Sequence, residues 1–248
     1  MDPEQQTCAP IIPSPRLSDC DILQKTFPDF SFGDDCCLVP YFGCADGRVV
    51  DISIGYGASF QSPTKINHIL EKLKGLDKLE SLDIYNYTNV VGNLDYKKLC
   101  RFKNLINLSL GGLDVNPNRL DSCIGTDLKN LVNLYLWKMN IQGPIPTEIT
   151  KLKKLQTLDL SDNNLSGPIP NLQDFPDLFK VFLNNNKGLT GTITPNTLVK
   201  ADPSNIVIGA DWQEEEYYCD LSGTLVCLDE KYTGPDCFLS DNICTNCT

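Results

Sequence analysis

His68 is the only histidine in the 248-residue chain, which closes off most hydrolytic chemistry at once. A Ser–His–Asp triad needs an imidazole within reach of its nucleophile. No Gly-x-Ser-x-Gly, His-Glu-x-x-His, phosphate-loop or dinucleotide signature occurs in the sequence. The carboxylates run together at Asp34-Asp35 and Glu214-Glu215-Glu216. Such runs are solvated far more often than they are paired as acid and base. No catalytic residue is assigned, no cofactor is implied, and the chain is not expected to be an enzyme.

Cysteine carries the remaining reactive chemistry. Twelve are present: Cys8, Cys20, Cys36, Cys37 and Cys44 near the start, Cys100 and Cys123 in the middle, and Cys219, Cys227, Cys237, Cys244 and Cys247 near the end. Zinc asks for paired Cys-x-x-Cys units or added histidines. Cys244-Thr-Asn-Cys247 stands alone, so no metal site is assigned. An even count gathered at both ends reads as disulfide staples, and hence as an oxidising compartment. Four glycosylation sequons agree with that, at Asn86, Asn107, Asn164 and Asn246. The start, Met1-Asp-Pro-Glu-Gln-Gln, has no positive or apolar segment of a signal peptide; a mature chain behind an added initiator Met is expected. No run of eighteen apolar residues occurs, so no membrane span is expected. A net charge of −11 argues against nucleic acid, whose binding depends on Lys and Arg, and permits a basic partner or a neutral glycan.

These residues need a scaffold, and internal periodicity supplies it. The pattern L-x-x-L-x-L recurs as Leu79/Leu82/Ile84, Leu105/Leu108/Leu110, Leu131/Leu134/Leu136, Leu155/Leu158/Leu160 and Leu178/Val181/Leu183, after an opening copy Val49/Ile52/Ile54. Successive copies are 30, 26, 26, 24 and 23 residues apart. Each copy predicts a short strand with alternate residues inward, then a return segment. One repeat cannot bury its apolar face, whereas stacked repeats share a continuous core. A second register follows: Gly143-Pro-Ile-Pro146, Gly167-Pro-Ile-Pro170 and Gly191-Thr-Ile-Thr194. Ser62 to Gly75 reads as a helix, capped by Ser62 with Pro63 in its first turn and Ile66/Ile69/Leu70/Leu73 as its apolar face; His68 lies off that stripe. Cys100 and Cys123 fall in the return segments of neighbouring repeats, where stacking would bring them together. Residues 201–248 lose the pattern.

Leu155 to Pro170 resembles the plant class of leucine-rich repeat, L-x-x-L-x-L-x-x-N-x-L-x-G-x-I-P, at nearly every fixed position. The class's buried Asn, which bonds adjacent loops, is matched at Asn163 and Asn186. Met139, Leu113 and Tyr87 stand in its place elsewhere, so irregular convex loops are expected in the first half. Residues 8–54 resemble the N-terminal cap of plant extracellular leucine-rich-repeat proteins through Asp35-Cys36-Cys37, Cys44 and Gly47-Arg48-Val49. The family's Trp is absent there, with Tyr41 or Phe42 to fill its place. That resemblance implies Cys8–Cys36 and Cys37–Cys44 disulfides and assigns Cys20 no partner. The chain as a whole is similar to polygalacturonase-inhibitor-like proteins and receptor-kinase ectodomains.

The expected fold is an α/β repeat solenoid, a right-handed leucine-rich-repeat superhelix of about six repeats with a concave parallel sheet. Residues 1–48 and 201–248 would be cysteine-rich caps stapled by disulfides, and 49–200 the repeats. Outward strand positions give three columns. The first is Asp51, Ser81, Asn107, Asn133, Thr157 and Lys180. The second is Ser53, Asp83, Ser109, Tyr135, Asp159 and Phe182, and the third Gly55, Tyr85, Gly111, Trp137, Ser161 and Asn184. Asp83, Tyr85, Ser109, Tyr135, Trp137, Asp159, Phe182 and Asn184 are the candidate ligand-binding residues. Tyr135, Trp137 and Phe182 are expected to cluster about Asp159 as exposed aromatics, suited to a sugar ring or a peptide side chain. A glycan at Asn107 would stand on the same face. The reading is a secreted or cell-surface protein that recognises a protein, peptide or wall polysaccharide. The alternative is a structural wall, coat or fibre protein that self-associates through repeat faces, caps or intermolecular disulfides.

Overall fold

The computed structural model describes residues 17–30, 35–55, 63–86, 89–178, 180–193, 219–220, 225–228 and 237–238. Each copy of the leucine motif forms one short strand of a nine-stranded sheet. Its order is β1 (Phe42–Ala45), β2 (Arg48–Ile54), β4 (Ser81–Ile84), β6 (Asn107–Ser109), β8 (Asn133–Tyr135), β10 (Thr157–Asp159), β12 (Lys180–Phe182), β14 (Cys219–Asp220) and β16 (Cys237–Phe238). β1 and β2 form an antiparallel hairpin turning at Asp46 and Gly47, both at positive φ. Every later pair is parallel, in strict chain order, which is the signature of a solenoid. The inward residues Leu82, Leu108, Leu134, Leu158 and Val181 are fully buried, as period-two alternation requires.

Two smaller parallel sheets accompany the main one. The first joins β3 (Thr64–Lys65), β5 (Val90–Gly92) and β7 (Asp114–Val115). The second joins β9 (Gln142–Gly143), β11 (Asn164–Pro168), β13 (Gly188–Ile193) and β15 (Leu225–Leu228), and an Asn118–Ile141 bridge links the two. Among the described residues, the first half thus has a parallel ladder of its own behind the main sheet. Its longer repeats carry the α-helices α2 (Ile66–Leu73), α3 (Tyr96–Leu99) and α4 (Cys123–Asp127). The shorter repeats leave room only for the 3₁₀ turns Thr147–Lys151 and Leu172–Asp174. The parallel ladder also continues past residue 200, through β14, β15 and β16.

The helix over 62–75 begins later than its sequence predicts. Thr64 and Lys65 pair with Val90 and Val91, so the chain is still extended there and Lys65, without a side-chain cap bond, precedes the first turn. Pro63 is exposed ahead of that strand, and Ser62 lies outside the described residues. Ile66, Ile69, Leu70 and Leu73 are all fully buried, and His68 is exposed.

Two asparagines, Asn163 half-buried and Asn186 buried, tie the turns together. Asn163 accepts from the backbone N–H groups of Met139 and Ile141, each at 3.0 Å, and donates to Leu136 O at 2.8 Å and Leu160 O at 2.9 Å. Asn186 accepts from Leu165 N and donates to Leu160 O and Leu183 O, each at 2.9 Å. At the equivalent place one repeat earlier, Met139 is fully buried and Asn118 donates to its carbonyl instead, at 2.7 Å.

At the N-terminus, α1 (Leu17–Thr26) packs against β2 through one buried carboxylate. Asp19 is 1% exposed and accepts from Arg48 Nε at 2.8 Å and Val49 N at 3.1 Å. Arg48 also pairs with Asp77, and that guanidinium holds the Asp77 carboxyl below its usual range. Phe42 is buried and stacks on Phe27, while Tyr41 meets Phe30 edge-on. The disulfides are Cys20–Cys36, Cys37–Cys44 and Cys100–Cys123. The first corrects the pairing implied by resemblance. Cys20 lies on α1, which docks directly over the Cys36 turn, with the two Cα atoms 5.4 Å apart. Cys8, and the pairing of Cys219, Cys227, Cys237, Cys244 and Cys247, lie outside what the structure describes.

Candidate ligand-binding face

Parallel register turns the outward residues into rows. Asp51, Ser81, Asn107, Asn133, Thr157 and Lys180 are partners along one column, and Asp83, Ser109, Tyr135, Asp159 and Phe182 along the next, with Ser53 opposite Asp83. These two columns match the alternation residue for residue. The third column follows the strand ends, where backbone bonds hold neighbouring turns together: Asn86 N to Gly111 O, Gly112 N to Trp137 O and Lys138 N to Ser161 O.

The aromatic side chains are half-buried rather than exposed, and for Trp137 and Tyr85 the reason lies in the third column. A methyl carbon built on Gly111 would fall 2.1, 2.3 and 2.5 Å from Nε1, Cε2 and Cδ1 of Trp137. Near-equal distances to three bonded ring atoms place that point over the ring face, not beside its edge. The six-membered ring reaches on to Gly112, where Asn86 Oδ1 also converges. Trp137 thus lies face-down across the Gly111–Gly112 backbone of the preceding repeat. Tyr85 repeats the arrangement over Gly55, with Cζ and Oη both 2.4 Å from the built carbon and Cε1 2.9 Å away.

The expected cluster therefore divides. Trp137 leans toward Asn86 and away from Phe182, and no ring-to-ring contact joins Tyr135, Trp137 and Phe182 among the described residues. Tyr135 sits between Ser109 and Asp159 in its row. Burial raises its phenol pKa, a hydrogen bond with Thr157 opposes that, and the charges of Asp159 and Asp83 add to it. Asp159 Oδ1 accepts from Ser161 Oγ at 2.6 Å and Ser161 N at 3.0 Å, which fixes the carboxylate at the strand end. Phe182 is its partner on the next strand, and Asn184 lies half-buried beyond.

Two carboxylates lie near each other at the N-terminal end of the face. Asp83 is pushed up to about 6, first by burial and then by the charge of Asp51, with Ser81 Oγ donating at 3.4 Å against the shift. Between them and Tyr135, Asn133 Nδ2 donates to Asn107 Oδ1 at 2.7 Å. Asn107 is thus the one described sequon residue on this face with its amide already engaged. Asn86 stands at the border with φ of 60°, Asn164 is exposed on β11, and Asn246 lies outside the described residues. Cys20, Asp35 and Cys36 gather at the N-terminal cap, but the two sulfurs share a disulfide and offer no thiolate for a metal.

Sequence reasoning passed over Gly55, Gly111, Gly112 and Asn86 as parts of the site. The signal was present in the third column, where glycine and aromatic residues alternate for four repeats.

No protein-family model matches the sequence, and no curated protein does. Solved structures do match the fold. A plant ice-binding protein superposes with a TM-score of 0.60 at 21% identity, over 72% of this chain and 59% of that one. The ectodomain of the Arabidopsis receptor kinase HAESA, in complex with an N-terminally extended IDA peptide hormone, gives 0.55 at 20% identity over 84% and 37%. A chain of the BIR3–SERK2 complex from Arabidopsis thaliana gives 0.51 at 24% over 66% and 85%. The chain thus spans about three fifths of the ice-binding protein and under two fifths of the HAESA ectodomain. At these identities the likeness establishes the fold, a leucine-rich-repeat solenoid stapled by disulfides.

Proposed function

We propose that this leucine-rich-repeat solenoid is a secreted or cell-surface recognition module of the plant extracellular type, binding a protein, peptide or wall glycan on the concave face of its main sheet and catalysing nothing. The observation that carries this reading is the register of that sheet. Parallel pairing from Asp51 to Lys180 and from Ser53 to Phe182 sets two continuous rows of polar and aromatic side chains on one face, while everything beneath is leucine-packed core. Binding rather than chemistry suits such a face, because its carboxylates are held by Ser161 and Ser81 and no imidazole stands near them. The Cys20–Cys36, Cys37–Cys44 and Cys100–Cys123 disulfides support an oxidising, extracellular setting. The Gly-x-Ile-Pro register, 1–48 and 201–248 as caps, and 49–200 as the repeats belong to the same reading.

The test is capture from cell-surface and wall extracts, with the parent protein beside a Trp137→Ala/Phe182→Ser variant of matching far-ultraviolet circular dichroism. A partner held by the parent and released by the variant supports the reading. Equal capture by both would sink it, and recovery of nothing but the protein itself would put self-assembly in its place.

A further inference from the structure

Trp137 and Tyr85 share an arrangement that a structural aromatic does not need. Each ring leaves its own repeat and lies flat on a glycine of the preceding one, Gly111 and Gly55. A core aromatic is surrounded on both faces. These two each rest one face on backbone and are half-buried, short of full enclosure. Removing the Cβ at Gly55 and Gly111 is what makes the seats, because any side chain there would fall within 2.4 Å of the ring atoms above it. The two seats lie just past the ends of β2 and β6, two strand spacings apart and so roughly 9.5 Å.

We propose that Tyr85 and Trp137 form a two-platform binding site for an extended neutral polysaccharide, its pyranose faces stacked on the two rings. This rests on the reading of the sheet face as a recognition surface and names the ligand class. A pyranose presents a flat patch of C–H groups that packs on an aromatic face. Two strand spacings are close to the length of two pyranose rings in an extended β-linked chain, so alternate rings meet the two platforms. The groups nearest the path between the seats bond hydroxyls: Ser53 and Ser109 in the neighbouring column and Asn86 Oδ1 beside the indole. Charge decides against the acidic relatives of such chains. Asp51 and Asp83 lie close enough to couple their charges, beside the Tyr85 end of the path, and would repel a uronate chain. Rigid rings also favour this ligand energetically, since plates already seated lose little freedom on binding.

The experiment is affinity electrophoresis of the intact chain through gels containing mixed-linkage β-glucan, xyloglucan, xylan, glucomannan or polygalacturonate. Retardation by at least one neutral polymer and none by polygalacturonate is expected. Trp137→Ala and Tyr85→Ala should each weaken retardation about tenfold, the order of one aromatic stack. Gly111→Ala should do the same with Trp137 still present, since its new methyl takes the seat. With Trp212, the other of the chain's two tryptophans, replaced by Phe, the glycan should shift the emission of Trp137 saturably. The proposal falls if no neutral polymer retards the protein, or if retardation survives in all three variants with their circular dichroism unchanged. Failure here while Phe182→Ser still releases an extract partner would leave the recognition reading standing. Loss of both would remove the two together.

Discussion

Replacing Asn186 with Ala tests whether buried amides hold the turns of this solenoid in register. The side chain is fully buried and its oxygen accepts from Leu165 N, while its nitrogen donates to Leu160 O and Leu183 O. Leu160 O keeps a second donor, Asn163 Nδ2 at 2.9 Å. Leu165 N–H and Leu183 C=O lose the partner that the Asn186 amide gives them, so the variant orphans two backbone groups. At about 1–3 kcal/mol for each buried unsatisfied group, with some relief from entering water, the loss is about 3 kcal/mol. For a chain of this size that corresponds to a melting temperature lower by roughly 6–12 °C. The control is Asn104→Ala, which removes an exposed 2.8 Å bond to Asp77 O and should stay within about 0.5 kcal/mol of the parent. Urea unfolding followed by circular dichroism gives both numbers, and amide exchange should show the opening confined to repeats 155–193, since a solenoid frays locally. If the two variants have the same midpoint, the buried amide is not what joins these turns.

The remaining predictions use the same logic elsewhere. Peptide mapping without reduction should recover Cys20 joined to Cys36; a Cys8–Cys36 peptide would restore the pairing that resemblance implies. Converting Cys20 and Cys36 to Ser opens a 16-residue separation and should cost about 3 kcal/mol. Gly125→Ala should destabilise by about 2–3 kcal/mol, measured by urea midpoint, because its methyl would sit 1.9 Å from the Glu148 carbonyl oxygen where α4 meets the next turn. Asp83 gives the pH dependence. Its folded pKa, about 6, lies above the unfolded value near 3.8, so the native state holds the extra proton between them and stability falls as pH rises through that window. Asp83→Asn should match the parent near pH 4 and exceed it by about 1–2 kcal/mol at pH 7.5, a figure reduced from the full shift because the group is partly solvated. A parent whose stability rises from pH 4 to 7 relative to Asp83→Asn would contradict the burial of that carboxyl.

Most of the scaffold is legible in the sequence because one physical requirement repeats. A strand that must bury alternate residues at every turn writes Leu82, Leu108, Leu134 and Leu158 into the chain at near-constant steps, and register follows from the pattern. What fails to repeat is harder to read. Thr64 and Lys65 lie in front of a strong amphipathic helix and read as part of it, yet they pair with Val90 and Val91. That pairing depends on a neighbouring repeat, which local capping signals do not register. Cys20 shows the same limit. Its partner is set by how α1 docks, through Asp19 on Arg48 and Val49, and spacing along the chain carries no trace of that contact.

The face divides between legible and hidden in a way that bears on its use. Parity alone says that Tyr135, Asp159 and Phe182 point out of the sheet, and they do. Parity says nothing about where a long side chain comes to rest after leaving the backbone. For Trp137 and Tyr85 the resting place is decided by an absence, the missing Cβ at Gly111 and Gly55, so the rings settle backward by one repeat instead of gathering around Asp159. The alternation of Gly55, Tyr85, Gly111 and Trp137 down one column is thus the sequence form of two seated rings. Glycine in a column of a repeat protein is usually read as backbone freedom, but Gly111 and Gly55 have no positive φ to accommodate. What they supply is space, and the geometry of whatever binds this face follows from where that space lies.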